Sequence, residues 1–92
     1  MVMIAMLGWY LLTPPWVGLN TFDTHAPLAR WYQAGSFGSA ADCERFRSAK
    51  IADFRQKSQQ QSGEDSVRES ARVKLYEEAQ CISTLDAHLH DH

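Results

Sequence analysis

Basic residues are not in excess, and that is the first thing the sequence excludes. Nine Lys and Arg stand against eleven Asp and Glu, a net charge of -2, with a pI near 6.0. Affinity for a phosphate backbone rests on clustered cations, so nucleic-acid binding is not expected. Long apolar runs are also missing. The longest, Met1 to Leu12, stops at Thr13-Pro14-Pro15, and twelve helical residues rise about 18 Å against a hydrocarbon core of about 30 Å. Glycines are few and scattered, so no phosphate-cradling loop or dinucleotide fingerprint is present. There are only two cysteines, without the C-x-x-C spacing of a zinc site or a redox dithiol. No Ser-His-Asp or Cys-His order can be placed, and Glu77-Glu78 are helix neighbours pointing about 100° apart. We therefore expect no enzyme, no catalytic residues and no cofactor. At 92 residues the chain has room for one domain, burying about 60–65% of the surface its unfolded form exposes.

What is present divides the chain in two. Residues 1–38 hold all three Trp, two of three Tyr and only two charges, Asp23 and Arg30, whereas residues 39–92 carry eight cations and ten acids of mixed sign. Mixed charge of that kind is the pattern of solvated helix faces. In the first part, Trp9 to Leu12 suits a short strand ended by Pro14 and Pro15, and residues 16–28 read as loop. Residues 29–37 form a second strand candidate, with Trp31, Gln33 and Gly35 on one face and Tyr32, Ala34 and Ser36 on the other.

In the second part, Ser39 followed by Asp42 forms a helix-capping pattern, with Phe37 placed to pack back on the first turn. Cys43, Phe46, Lys50, Ile51 and Phe54 then recur at helical spacing to about Lys57, and residues 58–63 make a turn. A second helix begins near Ser62 or Ser66 and carries Val67, Ala71, Leu75, Ala79 and Ile82 on one face.

Cys43 and Cys81 lie equidistant from residue 62, inside that turn. In an antiparallel helical hairpin such residues are side by side, so a disulfide is the favoured reading, ahead of free buried thiols and of metal or redox chemistry. The expected fold is α+β: a short antiparallel β-hairpin, Trp9 to Leu12 with Trp31 to Phe37, packed on a disulfide-bridged antiparallel helical hairpin. An all-α helical hairpin with an irregular N-terminus is the alternative.

The apolar start has three readings. The favoured one takes residues 1–8 as a leader, the remnant of a signal-peptide h-region that begins upstream of Met1, although no basic n-region or small-residue cleavage site is present. The others are a buried N-terminal segment of a cytosolic protein and a membrane-surface anchor, residues 1–12, with Trp9, Tyr10 and Trp16 at headgroup level. Residues 9–85 then form the single small domain, and residues 86–92 a His- and Asp-rich tail.

Trp9-Tyr10-Leu11-Leu12 with Pro14-Pro15, Ala26-Pro27-Leu28 leading to Trp31, Gly35-Ser36-Phe37-Gly38-Ser39-Ala40 running into Cys43, and Ala79-Gln80-Cys81-Ile82 together resemble an uncharacterised family of small exported, periplasmic bacterial proteins. The resemblance spans most of the chain and implies export and two paired cysteines. It carries no activity and no catalytic residues. The chain departs from the pattern at its end, where Leu85-Asp86-Ala87-His88-Leu89 replaces an Asp-Asp-Pro-Arg-Leu run, and at its start, which is not basic.

Two features bear on function. Aromatic anchors dominate protein interfaces, so Trp9, Trp16, Trp31 and Tyr32 are the interface candidates; of these, Trp9 and Trp31 suit filling between strands and helices, and Trp16 suits an exposed contact. His88, His90 and His92 alternate, so an extended tail would project three imidazoles to one side and bind metal weakly. The expectation is a non-enzymatic exported module that binds an unknown protein or envelope component. An accessory subunit anchored at a membrane surface or in a larger complex by its uncleaved N-terminus is the alternative, with metal binding by the tail as a third reading.

Overall fold

In the computed structural model, which describes residues 8–86 and Leu89, strands β1 (Trp9–Thr13) and β2 (Tyr32–Phe37) precede helices α1 (Ala40–Gln60) and α2 (Glu64–Glu78), and strand β3 (Gln80–Ser83) closes the order. The sheet is antiparallel, in the order β2-β1-β3. The α+β expectation holds, with the hairpin strands within a residue of their expected bounds.

β3 is the main departure. Ala79 and Ile82 fit the apolar stripe of α2, which is why the helix was expected to run through them. Instead α2 ends at Glu78, and Gln80–Ser83 pairs along β1, setting Cys81 opposite Leu11 and Ile82 opposite Tyr10. The physical reason is backbone satisfaction. A buried central strand has hydrogen-bonding groups on both edges, and a two-stranded hairpin leaves one edge of β1 unpaired.

The end of α2 is capped from α1. The Arg47 guanidinium donates from Nε to the Tyr76 carbonyl at 2.8 Å and from Nη2 to the Glu77 carbonyl at 2.6 Å. Carbonyls of the last turn have no partner within a helix, and a cation there also suits the helix dipole. Arg47→Met should therefore cost about 1–2 kcal/mol, with Arg47→Lys recovering part of it. Urea denaturation reads this directly, and an unchanged midpoint in Arg47→Met would remove the cap from the account.

Ser39 caps α1 as its sequence suggests, accepting from the Asp42 amide at 3.1 Å. Phe37 packs back on Phe46, with ring centroids 5.2 Å apart. The start of α2 differs from expectation. Its cap is Gly63, at a φ of 65° that favours glycine, and Ser66 is used elsewhere. Ser66 Oγ donates to the Ser58 carbonyl at 3.0 Å, and the Ser58 and Ser70 hydroxyls lie 2.7 Å apart, lacing the helices near their turn.

The expected alternation holds from Trp31 to Ala34, with Trp31 and Gln33 on one face and Tyr32 and Ala34 on the other, and fails beyond it. Register shifts between Leu11, opposite Gly35, and Leu12, opposite Gln33, so Ala34 is an extra residue on β2. Such a bulge reverses strand parity. Ala34 and Phe37 pack on the core beside the helices, and Tyr32 lines a cleft with helix residues, while Gln33 falls with Leu12 on the other side.

The core between sheet and helices consists of Leu11, Cys43 and Ala79, ringed by Trp9, Ala34, Phe37, Phe46, Tyr76 and Cys81. Cys43 and Cys81 form a disulfide with their Cα atoms 6.1 Å apart. It joins α1 to β3 rather than helix to helix, because β3 follows α2 after a single residue. On α2, Ala71 and Leu75 are buried as expected, but Val67 is exposed. Trp9 takes its expected place against the helices. Trp31 does not: it is buried on the opposite face, beside Tyr10, Leu12 and Leu28, and its Nε1 donates to the Ala26 carbonyl at 2.8 Å.

Gly8 and Leu89, just outside the expected domain bounds, make hydrogen bonds to residues inside and next to them. The Gly8 amide donates to Thr84 Oγ1 and the Gly8 carbonyl accepts from the Thr84 amide at 2.9 Å, so Gly8 belongs to the folded body. At the other end, the Leu89 amide donates to the Asp86 carbonyl, and Leu89 lies near Leu12 and Trp31.

Candidate functional site

The loop between β1 and β2 places the first aromatic side chain of the site. Pro14 and Pro15 end β1, and the chain then folds into a narrow hairpin, with the Asp23 amide donating to the Pro15 carbonyl and the Val17 amide to the Thr21 carbonyl, each at 2.9 Å. Gly18 permits the tight turn, since a Cβ there would lie 2.5 Å from Thr21 Oγ1. Trp16 stacks edge-on against Phe22 across this hairpin, centroids 5.8 Å apart, and stays 43% exposed. Val17 and Leu19 at its tip are exposed as well.

Trp16 forms one wall of a cleft of about 460 Å³. Pro15 and Thr13 continue that wall, Tyr32 enters from β2 with 68% of its surface exposed, and Phe54, Arg72, Leu75 and Tyr76 close the cleft from the helices. The two helices supply these side chains together because Phe54 faces Tyr76 across the hairpin, at 5.5 Å between centroids.

The cleft is apolar, with Arg72 as the one charged side chain in its lining. Arg72, Lys57 and Lys50 stand 5.7, 5.6 and 5.8 Å from the centroid of the Phe54 ring, close enough for attraction to its face. Arg72 is held by Glu69, Nη1 to Oε1 at 3.2 Å, and Lys57 pairs with Asp53 at 3.2 Å. Glu69 is itself buried, and its other oxygen has no hydrogen-bond partner among the described residues. Burial pushes the Tyr76 phenol above its ordinary value of 10.0, the nearby Tyr32 adding to the shift and Arg72 opposing it. The phenol is therefore a protonated hydrogen-bond donor at neutral pH.

Of the four interface candidates, Trp16 and Tyr32 meet at this cleft, whereas Trp9 and Trp31 are packing residues on opposite faces of the sheet. Trp9–Leu12 lies in the central strand, so this part of the expected membrane-contact segment is engaged in the sheet; residues 1–7 lie outside the described residues. His88, His90 and His92 also lie outside them. Among the described residues, no group of three or more His, Cys, Asp or Glu could hold a metal ion, and no helix is long and apolar enough to cross a membrane.

Sequence reasoning missed Phe54, Arg72 and Tyr76. Phe54 fits the core stripe of α1, and Arg72 looks like one more solvated charge. The available signal was the helical hairpin itself, which sets Phe54 opposite the turn of α2 that carries Arg72 and Tyr76. The chain matches no known protein family, no curated protein and no solved structure.

Proposed function

We propose that this protein is a small, exported, non-enzymatic binding module of the periplasm that engages its partner through the aromatic cleft at Trp16 and Tyr32. The observation that carries the reading is the cleft itself. A 92-residue chain with a small core would be expected to spend its aromatic side chains on packing, as it does with Trp9 and Trp31. Trp16 and Tyr32 instead stand exposed over an apolar depression, on a loop pinned by two backbone hydrogen bonds and on a strand. Preformed apolar clefts with a few polar groups are the usual seats of ligands, and exposed aromatic side chains the usual anchors of partners. The Cys43–Cys81 bond fits an oxidising, non-cytoplasmic environment.

The test is photocrosslinking in the native host. A benzophenone side chain at position 16 or 32 should give discrete adducts in the periplasmic fraction, and the same group at exposed Gln59 on α1 should give none. Intact mass from that fraction should show thiols that alkylate only after reduction. Equal labelling from all three positions would defeat the binding reading, and a reduced, cytoplasmic protein would defeat export.

A further inference from the structure

We infer that the cleft is built for an amphipathic monoanion, a medium-chain fatty acid whose carboxylate meets Arg72 while its chain lies along Trp16, Phe54 and Leu75. This deepens the binding reading and rests on it. The lining is apolar except for Thr13, Arg72, Tyr32 and Tyr76, and it contains no Asp, Glu, Asn or Gln. Its charged and phenolic groups can offer N–H or O–H bonds, and no formal negative charge faces the cavity. Arg72 spends one donor on Glu69, out of the five a guanidinium carries. Arg72 is the one charged side chain in the lining, while Lys50 and Lys57 stand beside the Phe54 ring without lining the cleft. Charge complementarity therefore favours an anion.

The same lining argues against a peptide. An extended peptide brings amide N–H groups that need acceptors, and the side chains of the cleft walls supply hydroxyls alone. A fatty acid has one polar end and asks for nothing along its chain. The volume of about 460 Å³ lies within the range of about 300–1,000 Å³ typical of small-ligand sites. Glu69, buried and bonded to Arg72, acts as the positioning residue that fixes the guanidinium at the border.

Three probes of equal chain length test this on the oxidised full chain: dodecanoate, dodecanol and dodecyltrimethylammonium, titrated below the critical micelle concentrations of the two ions and the solubility limit of the alcohol, and followed by calorimetry and Trp fluorescence. Dodecanoate should bind at least about tenfold more tightly than dodecanol, and the cationic probe most weakly. Replacing Arg72 alone would leave Glu69 buried without its partner, so the variant is Glu69→Gln/Arg72→Gln, which removes both charges and should reduce the dodecanoate preference to about onefold. Tyr32→Ala, at an exposed position, should weaken dodecanoate and dodecanol together. Equal affinity for dodecanoate and dodecanol overturns the anion inference while leaving the cleft as a binding site. Binding of none of the three overturns it as well, and photocrosslinking at positions 16 and 32 then decides the broader reading separately.

Discussion

Reducing the Cys43–Cys81 bond should lower the stability of the protein by about 4 kcal/mol. The two cysteines are 38 residues apart, and cross-linking a loop of that length removes about this much conformational freedom from the unfolded chain. Small domains have about 5 kcal/mol or little more in total, so the loss brings the chain near its folding threshold. The location adds to the effect. Cys43 is fully buried beside Leu11 and Ala79, and Cys81 lies on β3, a strand of four residues at the sheet edge. Without the bond, β3 keeps only its ladder with β1 and its limited packing on α1. Thermal melts with and without reductant, and of Cys43→Ala/Cys81→Ala, should show the midpoint fall by roughly 20 °C. Amide exchange of Gln80–Ser83 should accelerate more than that of central α1. A reduced protein within about 1 kcal/mol of the oxidised one would show that packing alone holds β3.

The cysteine pairing was legible in the sequence for a reason that turned out to be only partly geometric. Equidistance from residue 62 assumes two continuous helices, but Cys81 is on a strand. The arithmetic survives because α2 stops at Glu78 and β3 begins at Gln80, so the chain has not moved far from the helix axis before it reaches Cys81. β3 itself was not legible. Four residues carry too little periodicity to separate a strand from the last turn of a helix, and Ala79 and Ile82 satisfy both patterns. What decides is tertiary: the open edge of β1 and the Arg47 cap on α2 act on residues far from them in sequence.

The bulge at Ala34 was hidden for a similar reason. Strict alternation is the only parity a sequence displays, and an inserted residue is defined by its partner strand. Alternation alone separates Tyr32, on the helix side at the cleft, from Trp31, buried on the other face; the shift is what brings Phe37 to the same side as Tyr32 and Ala34. The candidate site was thus half visible. Trp16 and Tyr32 stood out as aromatics in a chain part almost free of charge, whereas Arg72 has no feature along the sequence to set it apart from the other solvated cations.

Leu11→Ala should destabilise the protein by about 3–4 kcal/mol, and Leu19→Ala by no more than about 0.5 kcal/mol, although the two substitutions remove the same atoms. Leu11 is wholly buried at the centre of β1, between Gly35 on one neighbouring strand and Cys81 on the other. Its partners at the centre of the core, Cys43 and Ala79, and its cross-strand partners, Gly35 and Cys81, are small or tethered, while the rings of Trp9, Phe37, Phe46 and Tyr76 pack around them. Small neighbours have no side-chain length with which to fill a gap, and the disulfide holds α1 against β3, so a cavity at Leu11 can close only by moving the sheet. That places the substitution toward the costly end of the range for buried leucines. Leu19 is 94% exposed at the tip of the β1–β2 loop, and its removal takes away surface that water already covers. Urea denaturation of both variants in the oxidised state measures the difference. Similar losses in the two would mean that Leu11 is not the centre of the core, and the packing between sheet and helices described above would have to be wrong.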